Sequence, residues 1–187
     1  MALPLAETLK MILDGPQRRP PRGSGPGGRG RLGELFRALQ SETPTSPAHA
    51  IEDDIWAIWI GHDDPALEAR MQRAIAAIAR RHLDEAGMLL DALVAEAPDW
   101  AEARNKRATV HYLSHRDAES IADIHRTLEL EPRHFGAICG FGQICLRHGE
   151  MAAAAEAFAA ALAINPHLES VRAVLVQLAP GRPARLN

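Results

Sequence analysis

The residues of this sequence that could do chemistry are its histidines, its two cysteines and a few paired aspartates. His111 and His115 lie four residues apart and would share one face of a helix, but a zinc site needs three or four ligands that converge. No glutamate follows His111 in the arrangement that a zinc protease requires. We therefore predict no metal site and no cofactor, and we interpret His125, His134 and His148 as scattered surface residues.

The two cysteines do not suggest a disulfide or a nucleophile. Cys139 and Cys145 lie six residues apart in one helical pattern. Six helical residues rise about 9 Å, which exceeds the roughly 7 Å that usually limits the Cα separation in a disulfide. A cysteine nucleophile needs a neighbouring base, and the sequence identifies none. We interpret Asp53 and Asp54 as acidic residues near the start of a helix, where their charge suits the helix dipole. Because we find no group of residues arranged for catalysis, we predict that the chain is not an enzyme.

The composition favours a closely packed, all-helical domain. Of the 187 residues, 47% are hydrophobic and only 4% are aromatic. The abundant alanine has the highest helix propensity and lets helices approach closely. A formal net charge of −3 argues against a protein dominated by binding to nucleic-acid phosphates, because such binding requires a basic face.

Residues 1–31 are predicted to be a flexible segment. Residues 1–14 can form a short amphipathic helix, and residues 15–31 are rich in arginine, glycine and proline and cannot bury apolar area. A solvated linker is the main interpretation, and a basic arm for RNA or acidic surfaces is the alternative. The N-terminus lacks the basic region and cleavage site of a signal peptide. We predict a cytoplasmic protein with no membrane span, or an exported one if its biological start differs.

Residues 32–66 are predicted to form an antiparallel pair of helices. The second of these patterns carries Ile51, Ile55, Trp56 and Trp59 on one face. We interpret the two tryptophans as core that seals one end of a helical array. The alternatives are a recognition surface and, if the pair is uncovered, a face that drives dimerisation.

From Leu67 onward the chain repeats every 34 residues. Pro98, Pro132 and Pro166 keep this spacing, and each ends an apolar helical run because proline cannot continue a helix. A helix-turn-helix unit with a 34-residue period resembles the tetratricopeptide repeat (TPR) family.

Other positions of each unit carry the same resemblance. In the family, small residues at two positions of each unit let the paired helices pack closely. The family pattern also has a glycine at the end of the first helix, and Gly149 occupies that place in the third unit. The first two units have Arg81 and His115 at that place. Segments around Asn105 and Pro132 also resemble small bacterial TPR proteins whose partners are mostly unassigned. The small residues in this chain are Ala74, Ala108, Gly142, Ala86, Ser120 and Ala154.

The resemblance implies an all-α, right-handed superhelical solenoid of helix-turn-helix repeats with an N-terminal helix pair and a C-terminal capping helix. The three repeats would span residues 67–100, 101–134 and 135–168. The capping helix would end near residue 178, and residues 179–187 would form a tail.

The resemblance also implies a concave groove lined by the first helix of each unit, which suits an extended peptide or a partner helix. Arg73 and Arg107 replace an apolar residue of the family, and they either pair with acids such as Asp91 and Asp123 or hold a ligand carboxylate. The residues predicted to line the groove are Met71, Ile75, Ile78, Glu102, Asn105, Thr109, Tyr112, Cys139, Gln143, Leu146 and Arg147.

These observations predict a non-catalytic scaffold or adaptor that binds a protein partner and has no small-molecule substrate, as a monomer or a weak homodimer. One alternative is an RNA- or acidic-surface-associated protein that uses the arginine-rich arm. The other is the non-catalytic module of an enzyme complex.

Overall fold

The computed structural model describes residues 5–14, 28–41 and 48–178. Within these ranges all the regular structure is α-helical, as the sequence predicted. The helices are α1 (Leu5–Asp14), α2 (Gly28–Leu39), α3 (Ala48–Ile60), α4 (Pro65–Ala79), α5 (Leu83–Glu96), α6 (Ala101–Leu113), α7 (Asp117–Leu130), α8 (Phe135–Arg147), α9 (Met151–Ile164) and α10 (Glu169–Leu178).

Three successive helix pairs, α4/α5, α6/α7 and α8/α9, form the solenoid, and α10 packs on α9 at its C-terminal end. Pro98, Pro132 and Pro166 each lie two residues beyond the last residue of a pair, so the proline period does mark the boundaries between units. The first helices of the three pairs are neighbours in space, with α6 in contact with both α4 and α8. This arrangement is a helical solenoid of the TPR type.

Small residues lie where the two helices of a pair approach most closely. In the second pair, the Ser120 hydroxyl donates to the carbonyl of Ala108 at 2.8 Å. In the third pair, Phe158 is fully buried against Gly142. A Cβ atom at Gly142 would lie only 2.6 Å from the Phe158 ring, so no side chain larger than hydrogen fits there without repacking.

The turns between paired helices share one backbone conformation. Gly149 has a φ of 76°, and Arg81 and His115 occupy the equivalent turns with φ of 63° and 59°. The left-handed region is open to glycine but unfavourable for other L-residues. The first two turns therefore keep the family's geometry without its glycine, at the expense of local strain.

Arg107 has the structural role that the sequence offered as one alternative. Its guanidinium forms two hydrogen bonds with Asp123, at 2.7 and 2.8 Å, and a third with Asp91 at 3.0 Å. These contacts raise the pKa of Arg107 and join α6 to the second helices of two successive pairs. Arg73 is exposed on α4.

The N-terminal part of the chain contains the helix that the sequence suggested for residues 1–14 and a second helix that begins inside the predicted linker. Helix α1 contacts α9, and Leu9 is fully buried. Helix α2 begins at Gly28, inside the predicted linker, and Arg31 pairs with Asp54 of α3 at 3.1 Å. Residues 15–27, which hold most of the arginine-rich arm, lie outside the described residues.

The strained turn gives a testable prediction. We expect His115→Gly to raise the free energy of unfolding by about 0.5–1 kcal/mol, because glycine adopts the left-handed conformation without strain. Urea unfolding measures this difference. Gly149→Ala is the matched control and should lower stability by about 1 kcal/mol. A destabilised His115→Gly variant would contradict the assigned turn conformation.

Candidate partner-binding groove

The residues predicted to line the groove separate into two groups in the structure. One group remains at the surface, and we call it the open band. Its exposed members are Gln143 and Arg147, and its half-buried members are Ile75, Ile78, Thr109, Tyr112 and Leu146. The second group, Glu102, Asn105 and Cys139, we call the covered band. Met71 belongs to neither group, since it is fully buried in the core of the first helix pair.

The open band is held together by a contact between α6 and α8. The Arg147 guanidinium lies 3.7 Å above the centre of the Tyr112 ring and donates to the Tyr112 carbonyl at 3.0 Å. It also donates to Asp117 at 2.6 Å. The charge of Arg147 is therefore already paired within the protein. Its contacts link α8 to α6 and to Asp117, and we do not expect it to act as a free cation for a ligand.

The covered band lies beneath α3, which contacts α6 and packs its Trp56 ring on the start of α8. The Trp59 ring stacks on the His134 ring, with centroids 4.1 Å apart and planes inclined by 10°. The Trp56 ring meets Phe135 edge to face at 5.4 Å. Lys106 Nζ lies 5.2 Å from the centre of the Trp56 ring. Part of the predicted groove is thus occupied by another segment of the same chain.

This position corrects our interpretation of the tryptophan pair. We expected Trp56 and Trp59 to seal one end of the helical array, but their rings pack on Lys106 of α6 and on His134 and Phe135 at the start of α8. A glycine makes the approach possible. A Cβ atom at Gly136 would lie 2.7 Å from the Trp56 ring, so the six-membered ring of Trp56 sits directly over the backbone of α8.

Polar contacts hold α3 near both of its ends. The Trp100 indole N–H donates to the carbonyl of Trp59 at 2.9 Å, at the C-terminal end of α3. Near the other end, the Asn165 amide donates to Glu52 at 3.0 Å. Asn165 is fully buried in the connection between α9 and α10. These bonds set the register of α3 along the solenoid.

A buried carboxylate lies beneath α3. Glu102 and His134 are both fully buried, and His134 Nε2 lies 2.8 Å from Glu102 Oε2. Because His134 Nδ1 accepts from the Ala137 backbone N–H at 3.1 Å, Nε2 is the nitrogen that donates to the carboxylate. Lys106 Nζ lies 2.9 Å from Glu102 Oε1, and the Asn105 amide donates to Glu102 Oε2 at 2.9 Å.

The charge of Glu102 is stabilised by these neighbours. Burial by itself raises the pKa of Glu102, but the hydrogen bond from His134 and the charge of Lys106 outweigh it and hold the pKa below its ordinary value. The ionised carboxylate is therefore the form present at neutral pH.

His134 is not the scattered surface residue that we predicted, because it is fully buried. It accepts a hydrogen bond at the N-terminus of α8, donates one to α6 and stacks on α3. The sequence holds one signal for this role. Gly136 lies two residues after His134. A glycine this close to the histidine leaves room for a large aromatic ring, here that of Trp56, to pack at the start of α8.

The thiols are poor nucleophiles. Burial and the nearby Glu52 carboxylate raise the pKa of Cys139 to about 12, and burial and Glu150 raise that of Cys145 to about 11. Both are free cysteines and stay protonated at neutral pH.

The described residues hold no group of three histidine, cysteine or acidic side chains arranged to bind a metal. His111 instead has Nε2 3.5 Å from Asp123. Among the helices that the structure describes, none combines the length and the apolar character of a membrane span.

The buried carboxylate gives a prediction about pH. A lowered folded pKa stabilises the fold above the ordinary pKa of glutamate, and this stabilisation is lost as the pH falls through the folded value. We expect Glu102→Gln to lower the free energy of unfolding by about 1–3 kcal/mol near pH 7, with a smaller difference from wild type near pH 4. Urea titrations at both pH values test this. Glu156→Gln, at an exposed position of α9, is the control, and a pH-independent difference would contradict the assignment.

Comparison with known proteins supports the repeat architecture. A TPR repeat-containing protein of Rhizobium etli is 34% identical over 119 residues, which is 64% of this chain and 58% of the relative. The match therefore spans little more than half of that relative's length. No family model matches the chain. Sequence similarity and helical fold together confirm that this chain resembles the tetratricopeptide repeat proteins.

Proposed function

We propose that this chain is a non-catalytic protein-interaction scaffold that holds a peptide or helical segment of another protein against the open band of its groove. The observation that carries the proposal is the open band itself. It runs across the first helices of all three pairs and combines half-buried apolar side chains with exposed polar ones. Partly buried apolar surface with a polar rim is typical of protein-binding sites.

The composition of the open band sets the character of the partner segment. Ile75 and Ile78 of α4 provide an apolar end and are packed on the core of the first helix pair. Thr109 and Gln143 provide hydroxyl and amide groups further along. A segment that places apolar side chains at one end and polar groups beyond them would complement this surface. Arg147 is engaged by Asp117, so the proposal does not rely on recognition of a carboxylate.

A photocrosslinking experiment tests the proposed surface. A photoreactive amino acid at Gln143, which is exposed in the open band, should capture a protein partner from the source cells. The same amino acid at Glu156, exposed on the second helix of the same pair, is the matched control and should not capture that partner. Tyr112→Ala should reduce the Gln143 crosslink by about tenfold, because truncating a central aromatic contact commonly costs 1–2 kcal/mol or more of binding energy.

Two results would count against this function. The first is the same crosslinked protein from both positions. The second is an undiminished Gln143 crosslink in the Tyr112→Ala variant with unchanged helical circular dichroism.

A further inference from the structure

The second helix pair shows how the first helix of a unit is covered by the unit before it. Trp100, which precedes α6, and Ala103 and Val110 of α6 are buried in the apolar cluster of the first pair. Within this covered side, Arg107 donates to Asp91 of α5 at 3.0 Å. A helix that carries one carboxylate therefore packs on this side of α6.

The equivalent side of α4 is open to solvent, and we call it the leading face. It lies one repeat period before the covered residues of the second unit. Ala66, Ala69 and Arg73 are exposed there, and Ala76 is half-buried. Their spacing of three, four and three residues places them on one side of the helix. Helix α3 precedes α4 in the chain, but it contacts α6 and packs on the start of α8 instead.

Arg73 of the leading face lacks both carboxylates that hold Arg107. Asp123 accepts two hydrogen bonds from Arg107, but its equivalent in the first unit is Leu89. The counterpart of Asp91 would have to come from a helix packed on the leading face. Within the described part of the chain, Arg73 accordingly forms no ion pair.

A guanidinium on an otherwise apolar helix side selects what can pack on it. A helix without a counter-charge would bury Arg73 unpaired, which is costly. A helix with a carboxylate opposite Arg73 would form a charge-assisted pair of the kind that joins Arg107 to Asp91. The neighbouring Arg70 is already paired with Glu96, so Arg73 is the cation of this side that remains to be matched.

We propose that the leading face docks an α-helix of a different protein, and that this helix is apolar on its contacting side and carries one aspartate or glutamate opposite Arg73. The occupant would pack on α4 as α5 packs on α6. A second copy of this chain presents no such helix in the same way, since α6, α8 and α10 already pack on α5, α7 and α9. The leading face is separate from the open band, so the proposal goes beyond the scaffold function.

A grafted unit tests the leading face in the full chain. Residues 65–98 are inserted a second time before α4, after a flexible linker of about ten residues, so that the graft can present its copy of Asp91 to Arg73. Ala76→Cys reports coverage, because the equivalent position holds a buried valine. The graft should slow alkylation of this thiol by iodoacetamide at least about tenfold. Cys145, which is fully buried, is the internal control for an intact fold.

Charge variants of the grafted chain test the role of Arg73. Asp91→Lys in the graft alone should return the alkylation rate at position 76 to within about threefold of the ungrafted rate, because two cations would then face each other. Adding Arg73→Asp should restore the protection. Arg80→Asp, at an exposed cation that follows α4, is the matched control and should not restore it.

A crosslink in the source cells tests for the natural occupant. A photoreactive aromatic amino acid at Ala66 suits this purpose, because the equivalent residue, Trp100, is large and buried. It should capture a protein other than this chain, and Arg73→Glu should reduce that crosslink by about tenfold or more.

Three results would overturn the inference. The first is an equal alkylation rate at position 76 with and without the graft. The second is protection by the graft that survives Asp91→Lys, which would show that the face does not select a carboxylate. The third is an Ala66 crosslink that is absent, joins only copies of this chain, or persists in Arg73→Glu. None of these affects the Gln143 crosslink in the open band, so the proposed function and this inference can fail separately.

Discussion

The imidazole of His134 joins three parts of the molecule at one point. Its Nδ1 accepts from the first turn of α8, its Nε2 donates to Glu102 of α6, and its ring face receives Trp59 of α3. Because Nδ1 accepts a hydrogen bond from the Ala137 backbone N–H, the ring proton lies on Nε2, and Nε2 is the nitrogen that donates to the Glu102 carboxylate. Removing either hydrogen bond would leave a buried polar group unpaired, which is costly in the protein interior.

This arrangement explains why the groove is divided. Glu102 stays ionised inside the protein because Lys106 pairs with it and because His134 and Asn105 donate hydrogen bonds to it. Two of these groups also contact α3, since the Trp59 ring stacks on His134 and Lys106 Nζ lies 5.2 Å from the centre of the Trp56 ring. Beyond the reach of α3, the concave face keeps its open band, where Tyr112 and Arg147 join adjacent helices. The covered portion of the groove is therefore the portion that α3 packs on, through its buried apolar residues as well as through His134.

The solenoid could be predicted from the sequence because its determinants are local and periodic. Pro98, Pro132 and Pro166 define the period, and small residues such as Gly142 report close helix approach within one unit. The glycine-free turns at Arg81 and His115 adopt the same left-handed conformation as Gly149, which the sequence alone did not indicate.

The covered part of the groove could not be predicted in the same way. Helical periodicity shows that Trp56 and Trp59 share a face, but it does not show which distant surface receives that face. The interpretation of His134 was wrong for this reason, since its burial comes from α3 and α6, not from its own sequence neighbours. The prediction of a groove from family positions could not show that part of that surface is covered by the chain itself.

The measurement that tests this account most directly is the chemical shift of the His134 ring protons in a carbon–proton correlation spectrum of the full chain. A ring stacked 4.1 Å from an indole should have its protons shifted upfield of those of the other histidines, and Trp59→Ala should abolish that shift. A His134 signal at the position of an exposed histidine, unchanged by Trp59→Ala, would show that α3 does not occupy the groove.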